Sequence, residues 1–64
     1  MDDYDYDRLR RDLIDHFGTL AQIYPAAYLS LARVERASNY ELLKIAAEEG
    51  YDLSDYENQS LGLF

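Results

Sequence analysis

Apolar residues at Tyr6, Leu9, Leu13 and Phe17 recur at three- and four-residue steps, so the chain is expected to open with an amphipathic helix. Asp3 or Asp5 is placed to cap its first free N–H groups, and the neighbouring aspartates suit the positive end of its dipole. Gly18 marks its expected end, with His16 in the last turn. Thr19-Leu20-Ala21-Gln22 has the form of a capping box, so a second helix is expected to start at once. Pro25 interrupts it, because inside a helix it would remove one backbone bond and clash with the Ala21 carbonyl. Two paths satisfy this: a kinked helix, or a short turn over 19–23 and then a helix with Pro25 at its first position. The break is the preferred path. Beyond it Tyr28, Leu31 and Val34 mark one stripe, and Ala26, Ala27 and Ala32 permit close helix approach. So few polar positions predict the central, most buried helix.

Ser38-Asn39-Tyr40-Glu41 is a second capping box, with Ala37 and Leu42 placed as its hydrophobic staple. Leu42, Leu43, Ile45 and Ala46 supply the buried face of a third helix. Gly50 terminates it and Tyr51 covers its last turn, as in a Schellman cap. Asp52-Leu53-Ser54-Asp55-Tyr56 reads as one further helical turn capped by Asp52. The expected fold is all-α: three short helices plus a C-terminal helical turn in one small bundle. Residues 1–4 are a frayed acidic end and 58–64 an irregular tail ending in apolar residues.

Length makes the stability of this bundle a question. A 64-residue domain buries only about 60% of the surface its unfolded chain exposes, and such domains usually need a disulfide, a metal or a partner subunit. There is no cysteine, which removes disulfides and the commonest zinc sites and leaves self-association open. Met1-Asp2-Asp3 lacks the cations and apolar run of a signal peptide. The richest apolar stretch, residues 20–34, is broken by Gln22, Pro25, Ser30 and Arg33, short of a membrane span. A soluble protein in the cytoplasm is expected, with no membrane partner and no cofactor.

Charge changes the picture most. Residues 1–7 hold four aspartates, residues 8–36 five arginines against three acids, and residues 37–64 six acids against one lysine. The chain is therefore polarised as well as acidic, with a net charge of −7. That excludes direct nucleic-acid binding and points to a basic protein partner, including a nucleic-acid-binding one. The opening Asp2-Asp3-Tyr4-Asp5-Tyr6-Asp7 is either a helix start enriched in acids or an arm that enters a basic groove. Asp3, Asp5 and Asp7 carry the second reading. Glu48 and Glu49 extend it, if the outward face of the third helix adds to one negative field.

Seven tyrosines are many for this length. Tyr6 and Tyr28 fit core positions, and Tyr51 and Tyr56 fit helix-end covers. Tyr4, Tyr24 and Tyr40 have no evident internal duty, and Tyr24 and Tyr40 are the candidates for a partner surface. The tail Leu61-Gly62-Leu63-Phe64 needs a docking place, on this bundle, on a second copy or, through Phe64, in a partner's groove.

Catalysis finds little support. His16 is the sole histidine, with Asp12 and Asp15 explained as helix surface, and neither a nucleophile elbow nor a phosphate-cradling glycine loop is present. The spacing Asp3-x-Asp5-x-Asp7 starts like a calcium loop, but Arg8 stands where glycine is required and Ile14 where glutamate is required. A core this small also leaves no evident room for a pocket of about 300 Å³. No enzyme is expected.

Across residues 5–56 the chain resembles small acidic three-helix proteins of bacteria and their mobile elements. Tyr6-Asp7-Arg8-Leu9-Arg10, Phe17-Gly18-Thr19, Glu41-Leu42-Leu43-Lys44-Ile45-Ala46 and Gly50-Tyr51-Asp52-Leu53-Ser54-Asp55-Tyr56 carry the likeness. The stretch from Glu41-Leu42-Leu43 to Gly50-Tyr51-Asp52 is also similar to the closing helix of nif11-type peptide leaders, though the glycine-rich cleavage site and cysteine-bearing core peptide are missing. The expected role is a non-enzymatic module that docks an acidic surface on a basic partner, for instance an inhibitor acting as a nucleic-acid mimic. The alternative is a structural or assembly subunit, a homodimer being one form, that self-associates through Tyr24, Tyr28, Leu31 and the Leu61–Phe64 tail and whose acids serve solubility.

Overall fold

Asp5 starts the first helix: its carboxylate accepts the Arg8 N–H at 3.1 Å, one of the donors a helix start leaves free. In the computed structural model, which describes residues 4–57, this helix is α1 (Tyr6–Ala21). It is followed by α2 (Ala27–Arg36), α3 (Asn39–Glu48) and a 3-10 turn (Leu53–Tyr56). The all-α class and the element order agree with the sequence. Asp3 and the 58–64 tail lie outside the described residues.

Gly18 does not end α1. It stays helical and nothing lies within 4 Å of where its side chain would be, so its cost is only the roughly 1 kcal/mol of a helical glycine. The terminator is Pro25. The last helical bond runs from Tyr24 N–H to the Leu20 carbonyl at 2.7 Å, and the next would need the N–H that proline lacks. The expected break therefore holds, but α1 runs through Thr19 and no helix starts there. The new helix is entered by turns, Ala27 N–H to Tyr24 O at 2.8 Å and Tyr28 N–H to Pro25 O at 3.0 Å.

The central helix is α1, not α2. It packs against α2, α3 and the 3-10 turn, and it buries Leu9, Leu13, Phe17 and Ala21, whereas α2 buries only Val34. The stripe of Tyr28, Leu31 and Val34 misleads for a geometric reason. Six residues at 3.6 per turn place Tyr28 about 120° round the helix from Val34. The inward stripe is Ala27, Leu31 and Val34, and Tyr28 stands exposed.

Residues 38–57 follow the sequence closely. The Ser38 hydroxyl accepts the Glu41 N–H at 3.2 Å and the Glu41 carboxylate accepts the Ser38 N–H at 3.3 Å, closing the capping box. Ala37 and Leu42 are both buried in the core. Gly50 takes φ +82°, a left-handed conformation that costs other residues strain. Its N–H reaches Ala47 O at 3.1 Å and Tyr51 N–H reaches Ala46 O at 2.9 Å, the pair of bonds of a Schellman cap. Asp52 then caps the 3-10 turn through the Ser54 N–H at 3.0 Å. Leu9, Leu13, Val34 and Leu42 are fully buried, each worth about 1.5–3 kcal/mol relative to exposure.

Candidate functional site

Residues 4 and 57, far apart in sequence, meet in the fold. Tyr4 pairs with Glu57 in an isolated antiparallel bridge, and Asp5 N–H donates to the Tyr56 carbonyl at 2.6 Å. Tyr4 is thus held at the chain's start, with its ring 6.0 Å from that of Tyr6. Arg8 completes the closure. It donates to the Asp55 carbonyl at 3.1 Å and its guanidinium lies 4.8 Å from the Tyr56 ring centre, a cation–π contact. The start of α1, with Asp5, is thereby joined to the segment that carries Asp55 and Glu57.

The predicted partner-binding residues are dispersed by the same fold. Asp5 is committed to capping α1, and Asp7 is exposed in its first turn. Glu48 and Glu49 do not join the acidic end: Glu48 lies 3.9 Å from Arg33 on α2, and Glu49 3.1 Å from His16 on α1. Tyr40 is exposed, with the Lys44 ammonium 5.6 Å from its ring centre. Tyr24 is exposed at the α1–α2 connection. Asp3 and Phe64 lie outside the described residues.

A cleft that the sequence did not announce runs along α1. Asp12, Asp15, His16, Thr19, Leu20, Tyr51 and Tyr56 line an open surface cleft of about 460 Å³. His16 is not in the last turn of α1, since the helix runs on to Ala21. Its Nε2 faces Glu49, and its ring meets Phe17 and Tyr51 edge-on with centres 5.0 and 5.8 Å apart. Tyr51 and Tyr56 stack at 6.3 Å. The buried Tyr56 hydroxyl donates to the Asp12 carboxylate, and the Tyr51 hydroxyl points at the Asp12 carbonyl at 3.5 Å. Asp12 looked like helix surface because its partner is 44 residues away.

The electrostatics follow from this geometry. Burial, the Asp12 hydrogen bond and the Asp12 charge push the Tyr56 phenol up to about 12, with Arg8 opposing. Burial, then the Asp12, Glu49 and Asp15 carboxylates, raise Tyr51 above the usual phenol range. Bonds from the Ser54 hydroxyl and N–H hold Asp52 below the usual carboxylate range. Because the folded state keeps the Tyr56 proton more tightly, its contribution is fully present below about pH 10 and lost as pH rises towards 12. Urea denaturation across that window is expected to show a fall in stability that Tyr56→Phe reduces. An identical alkaline fall in both proteins would mean that Tyr56 is not responsible.

Among the described residues no cluster of three or more His, Cys, Asp or Glu has the arrangement of a metal site, and no helix is long and apolar enough to cross a membrane. No family model, curated protein or solved structure matches the chain. Its class is defined by the fold and surface alone: a three-helix bundle with one acidic end and a tyrosine-walled cleft.

Proposed function

We propose that the protein is a non-enzymatic binding module whose acidic end docks on a basic protein partner. The observation that supports this most is the Tyr4–Glu57 bridge, which brings Asp5 to the segment that carries Asp55 and Glu57. Concentrated charge of one sign steers encounter with a partner of the other, at rates that fall with salt. One concrete form is an inhibitor, such as a mobile element would encode, that occupies the phosphate-binding groove of a nucleic-acid-binding protein.

Asp7 and Asp55 are the residues to test, because their carboxylates have no capping role, unlike those of Asp5 and Asp52. The native chain and an Asp7→Asn/Asp55→Asn variant serve as baits in lysate of the source cell, washed across a salt series. Basic proteins are expected on the native bait at low salt, with affinity reduced roughly two- to fivefold per charge removed. The same proteins held equally by both baits at every salt concentration would refute the reading.

A further inference from the structure

We infer that the α1–α2 corner is the contact through which two copies of this chain pair. Ile23, Tyr24, Tyr28 and Leu29 are 69%, 63%, 59% and 77% exposed, and they lie within seven consecutive residues. Large apolar side chains this close together form a patch, which scattered surface leucines do not.

The first half of α2 holds one polar residue, Ser30, and that one is half-buried. Ala27 and Leu31 face α1, while Tyr28, Leu29 and Ala32 face outward. A surface helix normally carries polar residues on its outer face. Within the single chain α2 buries only Val34 completely, and Tyr28 and Leu29 stay exposed.

Charge selects the occupant. No residue from 19 to 32 is charged, in a chain whose net charge is −7. Two such chains repel wherever their acids face each other, and this neutral corner is where they meet at least cost. A basic partner gains nothing from a face without carboxylates. A membrane is the poorer fit too, because helices that lie on bilayers carry a rim of lysine or arginine and anionic leaflets repel an acidic protein. The area is also adequate. The four side chains leave roughly 500 Å² open, so closing one patch on its copy covers about 1,000 Å² in total, the threshold for a specific contact. A twofold pairing, with each α2 against the other, uses the same patch on both sides. This contact lies on different residues from the acidic end, so a dimer can present two acidic ends.

Sedimentation equilibrium of the full chain, from about 1 μM to about 1 mM, tests the pairing at low and high salt. A monomer–dimer equilibrium that tightens with salt is expected, since salt screens the repulsion between two acidic chains. Leu29→Glu sets like charges across the contact and should weaken pairing by roughly tenfold or more. Its helical circular dichroism under dilute conditions should match the native chain, and Ile23→Gln provides a second, milder variant. A monomer at every concentration overturns the inference, as does a dimer indifferent to both substitutions. Adsorption of the monomer to zwitterionic lipid vesicles through Leu29 would assign the corner to a bilayer and overturn it as well.

Discussion

Leu13→Ala is expected to leave much of the population unfolded at 37 °C. Leu13 is fully buried at the middle of α1, the helix against which α2, α3 and the 3-10 turn all pack. Truncating such a leucine costs the transfer energy of the lost methyl groups plus the cavity they leave, about 3–4 kcal/mol. A chain of this length has a total stability of about 3–10 kcal/mol, so one substitution removes a large share or all of it. Volume decides the outcome, and Leu13→Met, which keeps it, is expected to cost less than about 1.5 kcal/mol. Thermal melts followed by circular dichroism read both. A cooperative Leu13→Ala melt within a few degrees of the native protein would mean that the core has collapsed around the gap, or that α1 is not the element the bundle depends on.

The parts of this fold that could be read from the sequence are those whose chemistry is local. Ser38 and Glu41 satisfy each other three residues apart, Gly50 adopts the one conformation that glycine tolerates best, and Asp52 reaches Ser54 two residues on. Pro25 stops a helix because of an atom it lacks, so the break needed no tertiary knowledge. Gly18 misled because a glycine permits a helix end without requiring one. With no neighbour pressing on it and a proline seven residues further on, α1 continues. The stripe on α2 misled because steps of three drift round a helix of 3.6 residues per turn, and only the packing surface of α1 decides which residues face in.

The candidate sites were less legible because each depends on chain path. Sequence shows acids near residues 2–7 and 52–57, but not that a bridge between Tyr4 and Glu57 brings Asp5 to Asp55 and Glu57. Tyr56 and Asp12 pair across 44 residues. Several carboxylates that look available are employed by the fold: Asp5 and Asp52 as caps, Glu41 in the capping box, Glu49 against His16. That leaves charge reversal at Glu48 or Glu49 a poor probe of partner binding, since either change also disturbs contacts between helices. Tyr24 and Tyr28 were visible as residues, yet only the structure shows that both are exposed.

Arg10→Met is expected to destabilise the bundle by about 2 kcal/mol, although Arg10 looks in sequence like one more surface cation of α1. Its guanidinium forks over the end of α2. Nη1 donates to the Val34 carbonyl at 2.7 Å and more weakly to Glu35 at 3.4 Å, and Nη2 donates to Ala37 at 3.0 Å. The Val34 carbonyl also accepts the Ala37 cap N–H at 3.2 Å, and the negative end of the dipole favours a cation beside it. Two charge-assisted bonds in a part-buried setting therefore help bind α2 to α1, beside the packing of Leu31 and the buried Val34. Methionine keeps most of the stem's packing and removes the fork, so the loss reports the bonds rather than a cavity. Arg10→Lys keeps the charge near the dipole but cannot reach two carbonyls in one plane, and is expected to recover only about half of the loss. Urea denaturation of the three proteins at concentrations where the chain is monomeric separates these contributions. If lysine restores full stability, point charge at the helix end is sufficient and the planar fork is not what holds α2. If methionine is as stable as arginine, the packing of Leu31 and Val34 alone secures the helix.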